Sequence, residues 1–336
     1  MVRLPVRLPT RLPSAANLLS AAAAVVVLAL LSCGGAFAQQ RETISVESRW
    51  HGKPLTIKAT VVMPARHGEG KIPAMIIMHG SGGVRDVREF AYAREFNALG
   101  VAGVVVDSFG PRGIKSTVRD QSPVSSYDMV ADVVSTLKAI GKRPDIDPER
   151  IGLIGFSKGG TVTVKVALRY YMAPLAHDEA KFALLIAMYP WCGDQPQDFH
   201  PASNVPLHML LGELDRYAGV EPCKEFGKKL TDAGGAVTLK VYAGAEHDWD
   251  VPGKTHWRDA AGENGAKCVY DEISPGTWIE RSSKILVMDK GKRPPTAKAG
   301  IAICKTLGVS GGYNPQARAQ SMDDIRRFTR EAFKLQ

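Results

Sequence analysis

Apolar runs and amphipathic stretches alternate along the chain from about residue 43 onward. "PAMIIMHG" (73–80), "RIGLIGF" (150–156), "FALLIAMYP" (182–190) and "PLHMLLGELD" (206–215) are continuous apolar runs. Such runs mark strands covered on both faces, as in a parallel sheet. "VREFAYAREFNALG" (87–100), stopped by Gly100, and "SYDMVADVVSTLKAIGK" (126–142) carry apolar residues at helical spacing. "VAGVVVDSFG" is a further strand, and "ISVESRW" with "LTIKATVVMP" reads as an opening antiparallel hairpin. Later, "TVTVKVALRYYM" and "PCKEFGKKLTDAGG" predict helices, "VTLKVYAGAEHDWD" a last strand running into a loop, and "NPQARAQSMDDIRRFTREAFKL" a closing helix. The alternation predicts an α/β fold around a mostly parallel, doubly wound sheet. Residues from about 252 to 314 break the pattern, being polar and rich in Gly and Pro. That is long for a structureless loop, so a lid or hidden secondary structure is expected there, as an excursion over one end of the sheet.

Before the alternation begins, residues 1–38 read as a secretory signal. Arg-Leu-Pro triplets form a basic start, "LLSAAAAVVVLALLS" is the apolar stretch, and Ala36-Phe37-Ala38 suits cleavage before Gln39. Two rivals stand beside cleavage. "LLSC" resembles a lipobox, which would leave Cys33 as a lipidated first residue, the only route to membrane attachment through a lipid; an uncleaved anchor would need a longer apolar stretch. All three export the remainder, residues 39–336, to the periplasm or beyond. The 336 residues are 45% hydrophobic and 23% charged, an ordinary globular balance. The formal net charge of +9 includes Arg3, Arg7 and Arg11, and without that segment falls to about +6. No basic run interleaved with aromatics occurs, so a nucleic-acid partner is not expected.

Export changes how the cysteines are read. Setting Cys33 aside leaves Cys192, Cys223, Cys268 and Cys304, an even set in an oxidising compartment. Of the three possible pairings, Cys192–Cys223 and Cys268–Cys304 keep each bridge within one local region. The alternative is four free buried thiols. No C-x-x-C or H-E-x-x-H spacing suggests a metal.

The candidate chemistry lies where strands end. Gly155, Ser157 and Gly159 fit G-x-S-x-G, in which a strand turns abruptly into a helix and exposes the serine oxygen. That motif alone is a weak signal. A serine hydroxyl also needs a base, and the base an orienting acid. Asp215 at the end of "LLGELD" and His247 in "YAGAEHDWD" follow in the order Ser, Asp, His, each after its own strand. "MHGSGG" (78–83) matches the loop that supplies one oxyanion N–H, assigned to Ser81 with Gly82 as its neighbour; Lys158, after the nucleophile, would supply the other.

HGSGG, DSFGPRG (107–113), GFSKGG, MYPWC, GELD, GAEHDWD and the late GGYNP together resemble the dienelactone hydrolase family of α/β-hydrolases, in its secreted bacterial branch. The resemblance spans roughly residues 45–335. It implies the α/β-hydrolase fold over a single domain, a Ser157–Asp215–His247 triad, and support for joining Cys192 to Cys223. It implies no metal or organic cofactor, and a small ester or lactone as substrate. Members best known for opening dienelactones carry cysteine as nucleophile. Serine here favours general ester or acyl hydrolysis.

Each choice has a competitor. Ser157 competes with the role of ordinary helix N-cap, Asp215 with Glu213, and His247 with His208 and His256. His208, inside a strand, reads as a satisfied core histidine, His256 as a surface residue and His79 as a brace for the oxyanion loop. Asp107 and Arg112 either tie their loop by a salt bridge or meet substrate. Arg85 and Arg112 are substrate-binding candidates, and Lys158 either joins them in attracting acidic substrates or faces solvent. Two other functions remain beside the esterase: a peptidase of the prolyl-oligopeptidase type, and a non-catalytic envelope binding protein on a hydrolase scaffold.

Overall fold

In the computed structural model residues 40–65, 70–175 and 181–336 are described. The expected signal segment, the expected cleavage site and Cys33 lie outside them. Strands β1 (Arg41–Trp50) and β2 (Lys53–Val62) form the expected antiparallel hairpin, which turns through His51 and Gly52. β3 (Ile72–Met78) is buried at every position. After it come a π-helical turn (Asp86–Phe90), α1 (Ala91–Ala98), β4 (Ala102–Asp107) and α2 (Ser126–Gly141). α2 starts on a capping box, in which the Ser125 hydroxyl accepts from the Asp128 N–H and the Asp128 carboxylate accepts from the Ser125 N–H. β5 (Ile146–Phe156) delivers the chain to α3 (Lys158–Val166) and the short α4 (Arg169–Met172); then come β6 (Leu184–Met188), β7 (Asp194–Gln195) and β8 (Leu207–Gly212). α5 (Glu221–Asp232) and β9 (Val237–Tyr242) complete the eight-stranded sheet.

Its strand order is β1-β2-β4-β3-β5-β6-β8-β9, antiparallel across β1, β2 and β4 and parallel from β4 to β9. The alternation of side chains along β3 separates two cores. Ala74, Ile76 and Met78 pack with Val130, Val133 and Leu137 of α2, whereas Met75 and Ile77 pack with Tyr92 and Phe96 of α1. The closing helix α7 (Pro315–Phe333) joins the second core through Met322, Ile325 and Phe328. The predicted α/β arrangement is therefore present, helices on both faces.

The excursion holds more regular structure than its composition suggests. β10 (Trp257–Asn264) pairs antiparallel with β14 (Thr306–Gly311), while β11 (Tyr270–Ser274), β12 (Thr277–Glu280) and β13 (Leu286–Met288) form a second small sheet with β7. A helix, α6 (Ala297–Cys304), leads into β14. Disulfides join Cys192 to Cys223 and Cys268 to Cys304, the second closing the excursion on itself. No helix among the described residues is long and apolar enough to cross a membrane.

Candidate active site

At the β5–α3 junction Ser157 adopts φ 54° and ψ −114°, a conformation L-residues rarely take. The Ser157 N–H donates to the Met188 carbonyl (2.9 Å), and its own carbonyl accepts from Thr161. The corner is possible because the backbones close on each other without side chains. A Cβ on Gly155 would lie 2.1 Å from the Gly159 oxygen, and one on Gly159 would lie 2.3 Å from the Met78 oxygen. The Ser157 hydroxyl makes no capping bond to its helix, which removes the N-cap reading.

The freed hydroxyl meets the His247 ring. Ser157 Oγ lies 2.9 Å from His247 Nε2, and His247 Nδ1 lies 2.8 Å from Asp215 Oδ2. The other carboxylate oxygen of Asp215 accepts the Tyr217 and Ala218 N–H groups (2.9 and 3.0 Å), so the acid is aimed from both sides. Burial alone would lower the His247 pKa; the charges of Asp215 and Asp248 and the Asp215 hydrogen bond outweigh it and raise the pKa above 6.5. Tyr189 and Tyr217 pack their rings against the imidazole at 4.7 and 4.6 Å. Glu213 instead accepts from the Gly244 N–H and is exposed; His256 is exposed and pairs with Glu246.

The HGSGG loop lies directly against Ser157, where a Cβ on Gly80 would sit 3.1 Å from the Ser157 Cβ. His79 braces that loop as expected. Its Nδ1 donates to the Gly80 carbonyl (2.8 Å), leaving Nε2 to accept the Ser108 N–H (3.2 Å). Burial lowers its pKa, in keeping with that neutral ring. The Ser81 carbonyl is held by the Thr117 N–H and Ser116 Oγ. Lys158, at the first position of α3, has an N–H with no acceptor inside its own helix.

Two expectations need correction. Arg112 is not placed to bind substrate: its side chain is wholly buried, pairs with Asp132 through both terminal nitrogens, and donates to the Ser108 and Arg49 carbonyls. Its partner is Asp132, not Asp107, which accepts the Phe109 and Gly110 N–H groups. His208 is not fully satisfied either. It lies flat on Phe328 (3.6 Å between ring centres), its Nδ1 is without a partner, and burial pulls its pKa down to about 4. Arg85 remains part-exposed, with one guanidinium nitrogen 3.3 Å from Asp248.

Comparison with known proteins adds a family to this geometry. The sequence pattern of the dienelactone hydrolase family matches residues 57–271, more than half of the chain. The chain belongs to the dienelactone hydrolase family. It shares that membership's carboxylic ester hydrolase character. Residues of this dienelactone hydrolase relative are 27% identical, over 196 positions, to a Synechocystis sp. protein provisionally named a carboxymethylenebutenolidase; the match covers 53% of this chain and 76% of that one. A stretch of 115 residues is 31% identical to an uncharacterized peptidase of Bacillus subtilis, covering 32% of this chain and 17% of the peptidase. Among solved structures, a dienelactone hydrolase-like promiscuous phosphotriesterase from metagenomic libraries superimposes with a TM-score of 0.52 at 14% identity, over 87% of this chain and 99% of that one. Thermogutta terrifontis esterase 2 phosphorylated by paraoxon gives 0.50 at 18% identity, over 63% and 86%. These two show the shared fold.

One feature of this family member escaped the sequence. Beneath His247, buried Arg88 donates to Glu89 (2.7 Å) and to Asp248 (2.9 Å), while Tyr189 donates to buried Asp250 (2.7 Å). Asp248 itself has φ 61°. The available signal was the pair of acids flanking Trp249 in "EHDWD", which a loop would not otherwise place beside a buried aromatic.

Proposed function

We propose that this chain is an exported serine esterase that cleaves small carboxylic esters, lactones included, through an acyl-enzyme. The observation that carries the reading is the 2.9 Å approach of His247 Nε2 to a Ser157 oxygen held on a strained corner. Ser157 Oγ adds to the ester carbonyl carbon as its proton passes to His247 Nε2. Asp215 holds the ring and stabilises the imidazolium. The carbonyl oxygen becomes an oxyanion facing the Lys158 and Ser81 N–H groups, at the positive end of α3. Collapse expels the alcohol oxygen, which takes the proton from His247. Water then repeats the sequence, losing its proton to the same nitrogen and releasing the acid. Part-exposed Arg85 is the remaining candidate for substrate contact.

The peptidase likeness covers too little of that protein to favour peptides. Export is supported by the sequence of residues 1–38 and by two disulfides, which persist in oxidising compartments. The test is Ser157→Ala assayed on p-nitrophenyl esters and lactones and challenged with a fluorophosphonate probe. Turnover should fall by at least about ten-thousand-fold, and labelling should vanish. Wild-type turnover in Ser157→Ala would end the reading.

A further inference from the structure

The Lys158 side chain does not extend into solvent. It runs across the face of Phe109, with Nζ 6.0 Å from the ring centre, and ends on the loop after Lys115. There Nζ donates to the Gln121 carbonyl (3.1 Å) and to Thr117 Oγ1 (3.3 Å). These two residues also hold Ser81. The Thr117 N–H donates to the Ser81 carbonyl (2.8 Å), and Ser81 Oγ donates to Gln121 Oε1 (3.1 Å), which Thr117 Oγ1 approaches at 3.3 Å. Lys158 therefore sits at one edge of the oxyanion site through its backbone, and its side chain grips the loop that fixes the other edge.

We propose that Lys158 is a positioning residue whose ammonium, through Thr117 and Gln121, sets the separation between its own N–H and the N–H of Ser81. The proposal rests on the serine esterase reading above. An ammonium presents three donors carrying full charge, so its bonds to the two loop oxygens are stronger than those of a neutral amine. Donors to an oxyanion act only when already placed, and a small widening of the gap weakens them in the transition state.

The surroundings make that charge conditional. Burial is the largest influence on Lys158 and disfavours the cation. Asp128 at the start of α2, Asp120 on the gripped loop and Glu263 of β10 favour it, whereas Lys165 on the same helix opposes it. Glu263 is itself engaged by Lys305 and by the Gln121 N–H. The net result draws the pKa down to about 7. Two opposed limbs follow. His247 must be neutral to accept the serine proton, so activity rises with pH through its raised pKa. Lys158 must be charged, so activity falls as pH rises through about 7.

The experiment measures kcat and KM on p-nitrophenyl acetate between pH 6 and 9 for wild type, Lys158→Met and Thr117→Val, with thermal melts alongside. Lys158→Met should lower kcat about tenfold at pH 6.5, less than removal of a whole oxyanion donor, with KM within about twofold. The deficit should shrink toward pH 9, where the wild type has lost the cation too. Thr117→Val, which removes one oxygen from the grip, should lower kcat in the same direction by about threefold. Wild-type kcat in Lys158→Met, or a deficit constant from pH 6 to 9, would overturn the inference. Ser157→Ala run in parallel separates the two ideas: an inactive Ser157→Ala beside a fully active Lys158→Met removes only the role of Lys158.

Discussion

The two buried arginines among the described residues, Arg88 and Arg112, are each paired with carboxylates. Arg112 and Asp132 show this most simply, since neither side chain reaches solvent and Asp132 also accepts the Ser48 hydroxyl (2.5 Å). Removing one partner leaves the other charged and stranded, a loss of about 3–5 kcal/mol. Arg112→Met should therefore lower the unfolding free energy measured in urea by that amount while leaving the KM for small esters unchanged well below the transition. An increase in KM without loss of stability would restore the substrate role. Ser157, Asp215 and His247, which the structure brings into one hydrogen-bonded line, were legible only together, by their order and their places at strand ends. Arg88 was not readable in this way. An arginine inside an amphipathic stretch looks like surface, and only the fold shows that Glu89 and Asp248 enclose it.

Among the elements, the β5–α3 corner is the least forgiving. Its glycines are set by approach distances to main-chain oxygens, which cannot rotate away as a side chain does. Gly159→Ala should cost about 3 kcal/mol, at the upper end for an overpacked interior, and should abolish turnover by displacing the Lys158 N–H. Chemical denaturation and ester assays would check both parts; a stable, active Gly159→Ala would refute the corner geometry. The sheet strands and their helices were legible because periodicity is a local property. The pairing of β10 with β14 was not, since it joins Trp257 to Gly311 across the whole excursion and leaves no period in either segment.

At the scale of the whole molecule, the excursion is tied to the end of the sheet that carries Ser157. The Glu263 N–H donates to the Val118 carbonyl and its carboxylate accepts from the Gln121 N–H, so β10 holds the loop that holds Ser81. The Cys268–Cys304 bridge closes a segment with a sequence separation of 36 within this excursion. By chain entropy it is worth about 4 kcal/mol. Cys304→Ser should lower the denaturation midpoint accordingly, and turnover should fail at lower denaturant than the loss of helical circular dichroism. Coincident loss of the two signals would show that the excursion does not act on the site separately.

Under the export proposed above, the bridges carry a further implication for timing. A newly made chain still in the reducing cell interior would lack both sulfur links, and the excursion that backs the Ser81 loop would then be less firmly held. Passage into an oxidising space would then supply stiffness as well as location. The hydrolase would be a poor catalyst at its place of synthesis and reach full competence only where it is delivered.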